Sequence, residues 1–183
     1  MNTAEFPLPL AAAIGEVIFE SEMVTTYALT ANEKETDPEI KKNMRLWSQF
    51  MAGQYTPATF DQVVEQCIDK EYTWHCSHAH EGIRGDSEAG YETGMSMSES
   101  VEKGITGFHI TNRMFGEGAR VVNYWHMTGT HTGEFFGIPA TGKAIDLRGI
   151  SISAFHGGKL VEEWEFSDDL VEKVRALSDA ATK

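Results

Sequence analysis

The sequence predicts an α+β domain, one curved antiparallel sheet with helices on one of its faces, preceded by an extra N-terminal helix. Three observations predict it. Apolar residues recur at helical steps through the first third of the chain; the period then changes near residue 71; and four strand-length runs after residue 105 are joined by glycine-rich turns and one longer loop. At 183 residues the chain fits one domain and can bury roughly 70 % of its unfolded surface, so its core needs neither disulfides nor a structural metal.

The elements follow in order. After the prolines of "FPLPL", Ile14, Val17, Ile18, Val24 and Ala28 fall mostly three, four or seven apart, which predicts a helix of about four turns. It runs out in the polar "TANEKETD", and the joint at residues 31–37 divides a helical extension, 1–38, from the main domain, 39–183. Asp37 offers an N-cap with Pro38 at the first helical position, and Ile40, Met44, Trp47 and Met51 repeat as helix core until Gly53. Thr56 and Pro57 repeat the start signal for a third helix carrying Phe60, Val63, Val64, Cys67 and Ile68 on its narrow face.

From Glu71, "YTWHC" is rich in β-formers, and "SHAHEGIRGDSEAGYETG" has no period. A loop of that length in a compact domain is usually functional or mobile, and a lid over residues 77–97 is the expectation. A short helix from Ser98 to Lys103 closes at Gly104. The strands are "GFHITNRMF", "RVVNYWHMTGTH", "AIDLRGISISAF" and "LVEEWEF", with tight turns at "GEG" and "HGGK" and a glycine-rich loop between the middle two. A final helix runs from Asp168 or Asp169 through Leu177.

The formal charge of −13 repels phosphate backbones and anionic lipid, so neither nucleic acid nor a membrane is an expected partner. "FPLPLAAAIG" is too short to span a bilayer and lacks the basic flank of a signal peptide. Cys67 and Cys76 read as reduced thiols in a cytoplasmic protein. Trp74, Trp125 and Trp164, with Tyr124, give the sheet an aromatic load that suits either a pocket for a flat molecule or an ordinary core, and His126 shares a strand face with Tyr124.

The loop "GTHTGEFFGIPATGK" and, one strand later, "GGKLVEEWEFSDD" resemble the SnoaL-like polyketide cyclases of the nuclear transport factor 2-like superfamily. The similarity runs from about Lys41 to Leu177 and is strong after residue 120. It implies a cone-shaped sheet around a pocket, a homodimer formed through the sheet, a hydrophobic small-molecule substrate, and ring closure by aldol chemistry with no metal or organic cofactor. It also implies that Asp168 is the acid/base and that His75 lies near the pocket mouth. The characterised cyclases carry a glutamine and a histidine on the strand "LRGISISAF", where this chain has Gly149 and Ser151.

The residues themselves point to a compatible chemistry. In a regular strand Asp168 shares a face with Leu160, Glu162, Trp164 and Phe166, where a carboxylate short of water becomes a stronger base; as "SDD" it also reads as a helix cap. Proton abstraction beside a carbonyl needs a donor for the enolate oxygen, and His131 is the candidate: glycines 129, 133 and 137 let its loop approach a ligand, and Pro139 fixes the exit. Inside a structural loop, the same histidine is simply hydrogen-bonded. Ser151 retains a hydroxyl donor. His75, Cys76, His78 and His80 form a short cluster suited to zinc or copper but without a fourth ligand at recognisable spacing, so no metal site is assigned. The expected activity is therefore cofactor-independent proton transfer on a hydrophobic carbonyl compound, a cyclisation or isomerisation, with Asp168 and His131 catalytic and His75, Tyr124, His126, Ser151, Trp164 and Phe166 around the substrate. The alternatives are an epoxide or lactone hydrolase in the same pocket, or a non-catalytic dimeric ligand-binding protein.

Overall fold

In the computed structural model, described over residues 15–29, 37–76, 83–84 and 88–179, the chain runs through β1 (Glu16–Glu20), β2 (Val24–Ala28), α1 (Pro38–Gln54), α2 (Pro57–Cys67), β3 (Ile68–Cys76), β4 (Ile83–Arg84), α3 (Glu88–Gly104), β5 (Ile105–Glu117), β6 (Arg120–His131), β7 (Ala144–His156), β8 (Lys159–Ser167) and α4 (Leu170–Asp179). All eight strands share one curved sheet in the order β1-β2-β5-β6-β7-β8-β3-β4. The expected antiparallel meander is β5 to β8. Parallel pairings of β2 with β5 and of β3 with β8 extend it on either side.

The N-terminal helix expected across Ile14 to Ala28 is not what the chain forms there. Residues 16–20 and 24–28 are an antiparallel hairpin, β1 with β2. Val17, Ile18, Val24, Thr25 and Thr26 are β-branched, stiff at χ1 and suited to a pleated surface. In β2 the burial alternates, with Val24, Thr26 and Ala28 inside. Residues 1–14 and 30–36, including most of the polar joint, lie outside the described residues.

α1 and α2 begin where the capping signals place them. Asp37 accepts a hydrogen bond from the Glu39 N–H, and both helices carry proline at their start. α1 buries Ile40, Met44, Trp47, Phe50 and Met51 against the sheet's inner face, in a core continuous with Ile110, Met114, Trp125 and Leu160. α3 is 17 residues long, where six were expected from Ser98 to Lys103. Its start lies within the tract read as a loop, because Gly90 and Gly94 resemble breakers. Gly94 is instead a packing residue: a Cβ there would lie 2.7 Å from Phe60 Cζ on α2. Residues 77–82 and 85–87 of that tract lie outside the described residues, and with them most of the expected lid's first half.

The turns are those that glycine spacing predicts. Gly118 has φ 57° between β5 and β6, and Gly157 and Gly158 have φ 59° and 78° between β7 and β8. One irregularity reorganises the sheet's face. Across the β7–β8 ladder Ala154 pairs with Glu162 but Phe155 pairs with Leu160, so Val161 is an extra residue, a β-bulge. Beyond it the strand's two faces exchange.

The α1–α2 corner carries a test of the packing. A Cβ on Gly53 would lie 2.2 Å from Val63 Cγ1, so Gly53→Ala should cost about 1–3 kcal/mol of stability through overpacking. Adding Val63→Ala should recover most of that loss in urea denaturation; an unaltered deficit in the double variant would refute the contact.

Candidate active site

Between the sheet's inner face and α1, α2 and α3 lies a cavity of about 220 Å³. Its wall is mainly apolar and aromatic, with Phe50 and Tyr55 from α1, Phe60 from α2, Tyr72 and Trp74 from β3 and Trp125 from β6. Four carboxylates reach it: Glu163 and Glu165 from β8, and Asp168 and Asp169 from the turn into α4. Their positions follow from the bulge. With Val161 inserted, Leu160, Glu163, Glu165 and Ser167 face inward while Glu162, Trp164 and Phe166 face outward.

Glu163 is the buried member, 4 % exposed. Its Oε1 accepts a hydrogen bond from Trp47 Nε1 at 3.0 Å, its Oε2 accepts one from the Tyr72 hydroxyl at 3.2 Å, and Ser151 donates a third. Burial above all, and then the charge of Glu165, raise its pKa to about 7 against the opposing pull of the three donors. The Tyr72 phenol is held well above its ordinary value, chiefly by burial and then by the Glu163 charge, so it remains a donor. Burial likewise raises the Tyr55 phenol, with Glu165 and Glu163 adding to the shift.

Ser151 links this group to the cavity wall. Indole nitrogen only donates, so Trp125 Nε1, 3.1 Å from Ser151 Oγ, occupies an acceptor site and leaves the hydroxyl proton for Glu163. Gly149 lies beneath the indole, since a Cβ there would sit 2.2 Å from Trp125 Cζ2. The two positions where the characterised cyclases were expected to differ from this chain thus form one unit with Trp125.

The other expected site residues are distributed differently. Asp168 lines the cavity but sits beyond the end of β8 and is exposed, not desolvated on the strand face. Asp169 is the residue that caps α4, accepting from the Glu172 N–H at 3.0 Å. Trp164, Phe166 and His75 face outward: His75 stacks on Trp164 with centroids 5.3 Å apart, and its Nε2 lies 3.0 Å from Glu162 Oε1. Tyr124 and His126 share a face as expected, but it is the outer one, because Asn123, Trp125 and Met127 point inward. His126 Nε2 lies 3.2 Å from Asp146 Oδ1.

His131 is fully buried outside the cavity wall. Its Nδ1 is 3.1 Å from Thr141 Oγ1, and Phe135 meets its ring edge-on. Two of the three expected glycines permit close approach to the chain itself: a Cβ on Gly133 would lie 2.0 Å from the Lys103 carbonyl oxygen and one on Gly129 2.6 Å from Ile105 Cγ2, whereas Gly137 faces open space with φ 75°. The loop is a plug on the α3–β5 junction. Of the histidine cluster, His75 and Cys76 point to opposite faces, and His78 and His80 lie outside the described residues. Among the described residues no group of three or more metal-ligating side chains is present, and no helix is long and apolar enough to cross a membrane.

Sequence reasoning missed Glu163, the residue the site is built around, and took Trp47 for helix core alone. The signal available was an interior-facing indole on α1 and a tyrosine on β3, whose polar atoms need a buried acceptor.

Known proteins of the same fold agree with this architecture. The structure of a SnoaL-like polyketide cyclase from Jannaschia sp. CCS1 is 18 % identical and superposes with a TM-score of 0.60 over 79 % of this chain and 97 % of its own. A polyketide cyclase from Acidithiobacillus ferrooxidans is 23 % identical, with a TM-score of 0.59 over 76 % and 96 % of the two chains. AclR from Streptomyces galilaeus, described as a hydroxylase, is 18 % identical, with a TM-score of 0.58 over 76 % and 98 %. No curated protein sequence matches the chain. The family model described as SnoaL-like polyketide cyclase matches residues 61–172, more than half of the length, and the chain belongs to the SnoaL-like polyketide cyclase family.

Proposed function

We propose that this protein catalyses proton transfer on a hydrophobic carbonyl compound, a cyclisation or isomerisation, with Glu163 as the group that takes and returns the proton. The observation that carries the reading is a carboxylate only 4 % exposed in an aromatic cavity, with a pKa near 7, where it is both a competent base and a competent acid. Ionised Glu163 removes a proton from the carbon beside the carbonyl. Charge moves to the carbonyl oxygen, which needs a donor at the cavity wall. Tyr55 is that donor: its phenol stays protonated and lies close enough to Glu163 and Glu165 to feel their charge. Protonated Glu163 then delivers its proton to a second carbon or oxygen. Proton transfer and hydrogen bonding are all the reaction requires, and the chain's own side chains supply both. Asp168 stands exposed at the rim and is not assigned the base, and the donor role expected of His131 passes to Tyr55.

The working form is proposed to be a homodimer joined through the outer sheet face. Tyr124, Ile150 and Phe166 form one cross-strand row there, and Val122, Ile152 and Trp164 the next. Ile150 is 46 % exposed and Phe166 57 %, and a contiguous apolar surface of this kind is characteristic of an interface.

Exchange of the α-protons of 2-tetralone in D₂O, followed by NMR, tests the chemistry. The wild-type rate should rise with pH about a midpoint near 7, Glu163→Gln should lose about 100-fold or more, and Asp168→Asn should stay close to wild type. Full exchange activity in Glu163→Gln would end the proposal for this residue.

Stability offers a second check, with a definite sign. A carboxylate whose folded pKa is about 7 holds its proton in the native state while the unfolded chain, with an ordinary glutamate pKa of about 4.3, releases it. Stability from this group is complete below pH 4.3 and is lost as pH rises to 7, by about 4 kcal/mol in all. The stability difference between Glu163→Gln and wild type should therefore shift toward the variant by that amount between pH 4.3 and 8; a pH-independent difference would show an ordinary carboxylate. For the dimer, Phe166→Glu should convert it to monomer in sedimentation velocity without lowering its Tm, and a wild-type monomer would remove the interface.

A further inference from the structure

We propose that Trp125 sets the size of the ligand the cavity accepts, acting as a fixed wall seated on Gly149 and tied to Ser151. The inference rests on the reading of this cavity as the substrate site and adds the substrate class: compact molecules of one or two fused rings.

Part of the wall yields, for Met51, Met97 and Met127 are unbranched and refill space readily. Trp125 differs because its indole is rigid and held at two places. Its six-membered ring lies on Gly149, where an added Cβ would meet Cζ2 at 2.2 Å, Cε2 at 2.6 Å and Cη2 at 2.7 Å. Its Nε1 is held by Ser151 Oγ at 3.1 Å. A ring fixed by its face and its edge cannot swing away to admit a longer ligand, and a tryptophan 2 % exposed has no solvent pocket to swing into. The cavity it bounds, about 220 Å³, is smaller than the roughly 300–1,000 Å³ typical of sites for drug-sized ligands. Only glycine at position 149 allows this seat; any side chain there would push the indole into the cavity and shrink it further.

Two uncharged fluorescent probes, 2-naphthylmethanol and 1-pyrenemethanol, distinguish the possibilities by anisotropy titration. Apolar area alone favours the larger alcohol, so a wall is required for the reverse. The wild type should bind the naphthyl alcohol at least tenfold more tightly. Trp125→Leu should abolish or invert that preference. Gly149→Ala, which retains every core side chain, should weaken naphthyl binding at least tenfold, and the Gly149→Ala/Trp125→Leu pair should restore it, since the added methyl acts only through the indole. An unchanged ratio in Trp125→Leu, or a Gly149→Ala loss that persists in the double variant, overturns the inference. Should Trp125→Leu not fold, wild type and Gly149→Ala decide: equal naphthyl affinity in the two, or a wild type that prefers pyrene, is sufficient refutation. If naphthyl binding is normal but indifferent to Trp125, only this inference falls and 2-tetralone exchange still judges the catalytic one. If neither alcohol binds any of the proteins, the cavity is not a substrate site and both fall.

Discussion

A carboxylate taken out of water is tolerated only when its lone pairs are met by donors, and the rest of this molecule is arranged around meeting that condition for Glu163. Its donors come from three different elements: Trp47 on α1, Tyr72 on β3 and Ser151 on β7. Those elements and β8 are therefore constrained relative to one another by a single polar group as well as by apolar packing. The hydrophobic core alone would leave the inclination of α1 over the sheet loosely specified. Directional contacts specify it, from the Trp47 indole N–H to one Glu163 oxygen and between Ser48 and Thr26 of β2 at 2.8 Å, the first of them at the cost of stability above the group's pKa. On the proposed reading that stability is given up where a proton has to be held, which is the usual bargain at a functional site.

The sequence made the architecture legible through features that act locally. Asp37-Pro38 and Thr56-Pro57 start helices irrespective of their surroundings, and Gly157-Gly158 turns a hairpin because both residues take positive φ. The strands at residues 16–20 and 24–28 were not legible in the same way. Their apolar residues also fit helical steps, and the choice was made by a partner 86 residues away, β5, against which β2 lies in parallel register. Propensity pointed correctly, through five β-branched residues, where periodicity did not. The glycines of α3 misled for the opposite reason, since Gly94 is required by Phe60 on α2 and not by the local backbone.

Site residues were harder to read than elements because face is a global property of a strand. A single inserted residue, Val161, reverses inside and outside for everything beyond it. Valine carries no mark of a bulge, so regular alternation placed Trp164 and Phe166 toward the pocket and turned Glu163 and Glu165 away from it. In β6 the ambiguity was compositional: "NYWH" puts an aromatic and a polar residue on each face, and only the cross-strand environment separates Trp125 from Tyr124. The resemblance to the cyclases placed the acid/base at the end of β8, and Asp168 does lie at the cavity rim. It could not indicate which of four carboxylates is dry.

The loop of residues 129–143 shows how a recognisable motif and a catalytic role come apart. Phe136 takes φ 46° and Gly137 φ 75° so that Phe135 can turn inward and become fully buried. The His131 N–H and carbonyl close the base of the loop onto Lys143 and Gly142. Gly133, Phe135 and His131 Nδ1 have partners within the segment or at the adjoining end of α3, so this part of its pattern answers to folding. Gly149 and Ser151 look like losses by comparison with the family, yet they answer to the cavity, for the glycine admits the indole and the serine turns a proton toward Glu163. In a fold that many proteins share, chemistry is specified less by the motifs that identify the fold than by the small residues that allow large ones to lie where they do.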